Sequence, residues 1–441
     1  MLKFLLYLIF LTPLCLFNMW VSYIVGVCFF FFFFFFFFFK FFGLFSFLSY
    51  GFFMDNITFI FCCLVIWICL LVLLCMLHLY FFDLSSFLFI NLINFLLIFL
   101  FMDFIVIDFF QFYFFFECSL IPVFLILFGW GYQPERLSAG FFLIFYTLFG
   151  SFPFLLSIFY MFSLFGGFNF LFFEVLSNYF LMIFITVSFF ISFPLFGFHL
   201  WLPSAHVEAP VSGSMILAGV MLKLGGYGLI RCISFLYNFF FFYGYFIISI
   251  CLFGCIVLSM FCLIQSDLSI LIAYSSVCHM SLIISGIVSM NMYGFFGSLM
   301  FMVGHGFVSS GLFYLVGLMY DRLGSRSFFI LKGLMSIYPS MSLIWFLFCS
   351  MNLSCPPSLN LFSEICLIIS LLSWSFKVIY FFFFILFFSA CYSMMIFCFT
   401  QHGLSYSGLK SFKGFLVLEY YVLILHLFPV FGLVFNLGYF I

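Results

Sequence analysis

The chain has 441 residues, of which 69% are hydrophobic, 27% aromatic and only 5% charged. A soluble chain carries roughly 25% charged residues, so a total of 11 Lys+Arg and 12 Asp+Glu excludes a water-soluble domain and leaves a polytopic membrane protein. A formal net charge of -1 also excludes a nucleic-acid binder, which needs a basic stripe to neutralise phosphates.

Long unbroken apolar runs rule out an outer-membrane barrel, whose strands alternate apolar and polar residues. The expected fold class is therefore all-α and polytopic, with about 14 transmembrane helices at about 20 residues each. Met1 to Phe17 reads as a retained first span, because no small-residue cleavage pattern follows its single lysine. The eleven-Phe run from Phe29 to Phe39 is read as spanning only. Phe numbers 91 while Ala is scarce, which we read as the trace of a T-rich organellar genome. Further spans centre on about residues 68, 97, 119, 152, 187, 223, 251, 279, 306, 355, 388 and 427.

Two spans are interrupted. Pro194 lies inside the one near residue 187, followed by Pro203 and Pro210, and Pro356-Pro357 lies in the segment from Ser336 to Lys377. Proline removes a backbone donor, and lipid tolerates the resulting break only where it is buried in protein or lines a watery cavity. The two breaks sit about five spans apart, the spacing of an internally repeated transporter with sites at discontinuous helices. The 17 Cys include no C-x-x-C pair, so neither an iron–sulfur cluster nor a zinc site is indicated. Arg136, Arg322, Arg326, Lys332, Lys410 and Lys413 all follow odd-numbered spans, which places those loops on the cytoplasmic or matrix side and both termini opposite.

An ionised side chain at the centre of a span costs roughly 2.5–3.5 kcal/mol on insertion scales. This chain keeps Glu117 in the fifth span, Lys223 in the eighth, His279 and His305 in the tenth and eleventh, and Glu364 after the second proline break. Each alone has a bland explanation as a hydrogen-bonded packing group; as a set they favour a proton or ion path. Asp108, nine residues before Glu117 and close to half a turn round the helix, is as readily a helix cap. His206 and Glu208, near Trp201, form a His-x-Glu pair with no third ligand nearby, which makes a metal site improbable. Gly225, Gly226 and Gly228 most simply permit close helix contact.

Gly197 to Met215, running into Leu222-Lys223-Leu-Gly-Gly-Tyr-Gly, closely resembles the chain 4 family of antiporter-like membrane subunits of respiratory NADH:ubiquinone oxidoreductase (complex I). So do Phe116-Glu117-Cys-Ser-Leu-Ile-Pro, Gln133-Pro134-Glu135-Arg136-Leu, Leu271 to Met280 around His279, and Gly304-His305-Gly. The likeness covers about residues 105 to 440. It implies inverted five-helix repeats with broken helices 7 and 12, which we bound at residues 83–236 and 237–402. Residues 1–82 precede them as helices 1–3, and residues 403–441 follow as helix 14.

The resemblance also implies a proton-translocating module of the mitochondrial inner membrane, driven by electron transfer from NADH to ubiquinone. NAD, flavin, iron–sulfur clusters and ubiquinone are then bound by other subunits, with no cofactor or metal on this chain. Its partners are neighbouring antiporter-like and other membrane-arm subunits and lipids. Carried over by position, Glu117, Lys223 and Glu364 match the acid, base and acid of helices 5, 8 and 12, and His279 and His305 lie along the polar axis.

The family's helix 7 lysine is replaced by Ser192, and a further lysine position by Ser269, so Glu117 lacks the partner charge the family places beside it. His199, seven residues beyond Ser192, or ordered water is expected to take over part of that role. Two other readings compete: a stand-alone cation/proton antiporter, and a structural spacer that the missing lysine leaves with impaired pumping.

Overall fold

The computed structural model describes residues 2–39, 47–49, 51–82, 85–173, 178–405 and 414–440; Lys410 and Lys413 lie outside them. Its helices of eight residues or more, in chain order, are α1 (Leu2–Leu16), α2 (Trp20–Phe39), α3 (Asn56–Cys75), α4 (Ser86–Ile105), α5 (Phe109–Trp130), α6 (Arg136–Phe165) and α7 (Tyr179–Ser192). After the first break come α8 (Trp201–Glu208), α9 (Val211–Cys232), α10 (Tyr237–Ile264), α11 (Leu268–Val288) and α12 (Met292–Leu323). The last four are α13 (Pro339–Asn352), α14 (Leu359–Trp374), α15 (Ile379–Gln401) and α16 (Val417–Gly432).

Where the sequence predicts about 14 spans, eleven described helices are long and apolar enough to cross a membrane. Three more apolar helices, α1, α7 and α14, are shorter. The prolines account for two of these. Helix α7 stops at Ser192, two residues before Pro194, and helix resumes only at Trp201. Likewise α13 ends at Asn352 and α14 begins at Leu359, with Pro356 and Pro357 between them. Not every proline breaks a helix, however: Pro122 lies inside α5 and Pro153 inside α6, as neighbouring helices in a bundle permit.

The all-helical expectation needs one amendment. Phe47–Ser49 and Phe52–Met54 form a small antiparallel hairpin, with Leu48 opposite Phe53. Apolar residues of high strand propensity gave no alternation to set this segment apart from the spans around it.

The chain divides into two compact units. The first comprises residues 1–192, 208–238 and 438–440, and the second residues 193–207, 239–437 and 441. In the first, α4 packs on α5, α6 on α7, and α7 on α9. Contact between α7 and α9 depends on Gly228: a Cβ there would lie 2.1 Å from the Phe189 ring. The phenylalanine run of α2 is two-faced. Phe30 and Phe34 are buried against Phe101, with ring centroids 5.6 and 5.4 Å away, while Phe29, Phe33 and Phe36 point outward.

One end of this first unit is fastened by an ion pair. Asp55 caps α3, accepting from the Thr58 backbone N–H at 2.9 Å while its own N–H donates to Thr58 Oγ1 at 2.8 Å. Arg231 of α9 donates to both Asp55 oxygens at 2.8 Å and lies over the Tyr227 ring at 4.8 Å. Burial alone would push the Asp55 carboxyl up, but the Arg231 charge and the hydrogen bonds from Arg231 and Thr58 outweigh it and hold the carboxyl below its ordinary value.

In the second unit α12 is the central helix, packed against α11, α14 and α16. Gly304 lets the broken helix approach: a Cβ would stand 2.2 Å from Asn360 Oδ1. Asn360 in turn bridges the second break by donating to the Met351 carbonyl at 3.0 Å. Arg322, at the end of α12, pairs with Glu419 of α16 at 2.5 Å.

Candidate functional site: ionisable groups buried within the spans

Each unit holds its own set of buried ionisable side chains. In the first, Lys223 is fully buried at the start of the last helical stretch of α9, directly after the π-helical turn Leu217–Met221. A π turn adds a residue to the helical ladder and is frequent at functional sites. The Lys223 side chain donates to the Ala218 carbonyl within that turn.

Glu117 lies in the middle of α5, with Ser151 of α6 beside its carboxyl. Its Oε1 is buried and has no hydrogen-bond partner among the described residues. Ser192 is buried at the end of α7, and its hydroxyl donates back to the Phe189 carbonyl at 3.3 Å. Ser192 thus presents a neutral group turned to its own helix. Asp108 does stand at the N-cap of α5, yet its side chain makes no cap hydrogen bond. Its backbone instead bridges to Asn169, which corrects the expectation of a side-chain cap.

The second unit brings His279 and Glu364, which the sequence places on separate helices, together with a third group. His279 of α11, Glu364 of α14 and Tyr392 of α15 line one cavity, with Ser259 and Ser389. The Tyr392 hydroxyl and His279 Nε2 are 3.1 Å apart, and the His279 and His305 ring centroids are separated by 5.5 Å. Ser354, in the second break, stands beside Glu364. His199 Nδ1 accepts from the Gly197 N–H at 3.2 Å, and the ring lies parallel to Phe196. His206 stacks on Phe313 with centroids 4.5 Å apart, which gives this histidine a packing role. Glu208 and Ser269 are buried. Among the described residues no group of three or more His, Cys, Asp or Glu is placed to hold a metal ion.

Sequence reading missed Asp103 and Tyr392. Asp103 lies in α4 with no exposed surface, and among the described residues neither carboxyl oxygen has a hydrogen-bond partner. As an acid inside an apolar run it was open to the same reasoning that found Glu117. Tyr392 gave no signal, since one more aromatic residue in a chain with 24 Tyr and 91 Phe does not announce its hydroxyl.

A family model for the transmembrane part of NADH:quinone oxidoreductase and Mrp antiporter subunits matches residues 107–391. A second, for the amino terminus of NADH-ubiquinone oxidoreductase chain 4, matches residues 1–103. The chain is 44% identical to NADH-ubiquinone oxidoreductase chain 4 of Locusta migratoria over 98% of its own length and 97% of that protein. The chain belongs to the NADH-ubiquinone oxidoreductase chain 4 family.

The corresponding chain 4 of Ceratitis capitata is 49% identical over 76% of each chain. Among solved structures, a chain of respiratory complex I from Thermus thermophilus with bound NADH superposes with a TM-score of 0.87 at 22% identity, covering 99% of this chain and 96% of that one. An Mrp complex from a Dietzia species gives 0.78 at 13% identity, covering 88% and 83%. At such identities these two share the fold. As a chain 4 member, the protein is a multi-pass, antiporter-like membrane subunit of NADH:ubiquinone oxidoreductase, involved in proton translocation.

Proposed function

We propose that this chain carries protons across the mitochondrial inner membrane through Glu117, Lys223, His279, His305 and Glu364, coupled to electron transfer in other subunits of the complex. The observation that carries the reading is Lys223, a fully buried amine inside an apolar helix whose acceptor comes from a π turn. A structural lysine would be cheaper at a span end, where its stem lets the ammonium reach water. In the second unit the His279–Tyr392 contact and the cavity shared with Glu364 supply groups that both give and take protons.

In this reading α1, α7 with α8, and α13 with α14 also span, giving 14 passes. Residues 83–236 and 237–402 are the two repeats, residues 1–82 the preceding helices and residues 403–441 the last. Both termini face the intermembrane space. Ser192 carries no charge to pair with Glu117, and His199 or water serves in part of that role; His206, Glu208 and Asp108 are secondary members. Neighbouring antiporter-like subunits and lipids surround the chain, and the redox groups sit elsewhere in the complex.

The buried but uncharged Ser192 favours the spacer as the second reading. Lys223→Met separates the two. Conduction requires fewer protons translocated per NADH oxidised in a fully assembled complex, and an unchanged ratio would leave the spacer.

A further inference from the structure

The buried His279 ring has a hydroxyl at one nitrogen and an amide side chain beside it. Nε2 lies 3.1 Å from the Tyr392 hydroxyl. Nδ1 is buried and has no hydrogen-bond partner among the described residues, and the Asn352 side chain stands beside the ring. Asn352 is itself buried, and its Nδ2 also lacks a partner among the described residues.

The second break holds that amide in place. Asn352 is the last residue of α13, and the N–H of Leu353 turns back to the Cys349 carbonyl at 3.0 Å. The Met351 carbonyl, one residue earlier, accepts from Asn360 of α14 at 3.0 Å, which ties the start of α14 to the end of α13 beside Asn352. Asn360 fits there because Gly304 of α12 carries no side chain. The chain then leaves the helix through Ser354 with φ 62°, a left-handed conformation uncommon for a residue with a Cβ.

The partners determine where the imidazole proton sits. A tyrosine hydroxyl both donates and accepts, but His279 Nε2 is its one hydrogen-bond partner among the described residues, so the Tyr392 O–H points at Nε2. Nε2 then carries no proton, and the neutral ring holds its proton on Nδ1. A buried N–H left without an acceptor is costly. Asn352 can supply one, because an amide oxygen accepts and turning it to the ring breaks no bond at Nδ2.

We propose that Asn352 is a positioning residue of the second unit: its Oδ1 accepts from His279 Nδ1–H and so keeps Nε2 as the nitrogen that binds and releases the translocated proton. A proton arriving at Nε2 forms an N–H bond and makes the ring an imidazolium, and the Tyr392 oxygen accepts from it. When that N–H bond breaks, the proton moves on to the next group of the path and the neutral ring is restored. The Nδ1–H bond stays intact throughout, so one proton enters and one leaves.

The inference rests on the reading of the chain as a proton conductor, and the experiment keeps the two apart. Complexes carrying Asn352→Leu, Asn352→Asp, His279→Gln and Lys223→Met are compared with the unaltered complex for protons translocated per NADH oxidised. Infrared difference spectra between the oxidised and NADH-reduced complex, with ring-labelled histidine, identify the His279 band as the one that His279→Gln removes. Its position separates the Nδ1–H tautomer, the Nε2–H tautomer and the imidazolium. The unaltered complex is expected to show the neutral ring as the Nδ1–H tautomer. Asn352→Leu, similar in size but without an acceptor, should move that band to the Nε2–H form and lower the proton ratio as much as His279→Gln does. Asn352→Asp keeps an acceptor and should keep Nδ1 protonated; a merely structural side chain would leave the tautomer alone in both variants.

If Lys223→Met lowers the ratio, the conduction reading stands. The Asn352 assignment is then overturned by an Nε2–H ring or a missing His279 band in the unaltered complex, or by an unmoved tautomer or unchanged ratio in Asn352→Leu. If Lys223→Met leaves the ratio unchanged, the conduction reading falls, and the tautomer still decides whether Asn352 sets the ring. Should Asn352→Leu fail to assemble, Asn352→Asp decides: a His279 ring with no proton on Nδ1 overturns the proposal.

Discussion

Removing the Asp55 carboxylate should loosen the first turn of α3 far more than loss of a surface ion pair would. Asp55→Ala leaves Arg231 without its bidentate partner, although the arginine side chain is only 11% exposed and Asp55 22%. Breaking a buried pair costs about 3–5 kcal/mol, and the residual exposure of both partners argues for the lower figure. Loss of the cap bond to the Thr58 N–H adds about 1 kcal/mol, for a total of about 4. Asp55→Asn keeps an oxygen for Thr58 and loses only the charge, so it should cost about 1 kcal/mol less.

Amide hydrogen exchange across Thr58 to Phe61 in the assembled complex reads this directly, because local opening sets the rate. Asp55→Ala should speed exchange there more than a hundredfold, and Asp55→Asn should fall between it and the unaltered chain. A change of less than tenfold, or equal effects of the two variants, would refute the reasoning. The pH dependence has a definite sign. A carboxyl held below its ordinary value contributes stability that is complete above about pH 3.9, the unfolded value of an aspartate, and is lost as pH falls through the lower folded value. Acid should therefore reproduce the Asp55→Ala exchange pattern.

Three further outcomes follow from packing and from the second unit. Phe34→Ala, which removes a ring buried against Phe101 and Phe59, should destabilise by about 3–5 kcal/mol, whereas Phe33→Leu on the outward face should change thermal stability by less than about 0.5 kcal/mol; equal effects would mean that the run packs on both faces. Tyr392→Phe removes the partner of His279 Nε2 at a stability cost of about 0.5–1.5 kcal/mol and should lower proton translocation per NADH oxidised, a ratio that a purely structural hydroxyl would leave unmoved. Gly304→Ala forces Asn360 away and should cost about 1–3 kcal/mol, seen as reduced assembly or a lower melting temperature of the complex.

The sequence made the helices legible because lipid demands long apolar runs, and it made both breaks legible because proline cannot serve a helical ladder. Pro122 and Pro153 show the limit of that signal, since neighbours in the bundle absorb them. Lys223, Glu117 and Glu364 stood out against an uncharged background. The pairing of Asp55 with Arg231, 176 residues away, did not, because only the fold brings them together. The pairing of Phe47–Ser49 with Phe52–Met54 was hidden by apolar composition. Tyr392 was hidden by the abundance of aromatics, and its role as the partner of His279 depends on α11 and α15 meeting at one cavity.

Conduction or spacing is decided most directly by a structure of the assembled complex at a resolution that shows ordered water. Conduction predicts water chains joining Glu117 with Lys223 in the first unit and His279 with Glu364 in the second. A dry, apolar break at either pair, in a complex that still oxidises NADH, would contradict it and leave the chain as a scaffold of the membrane arm.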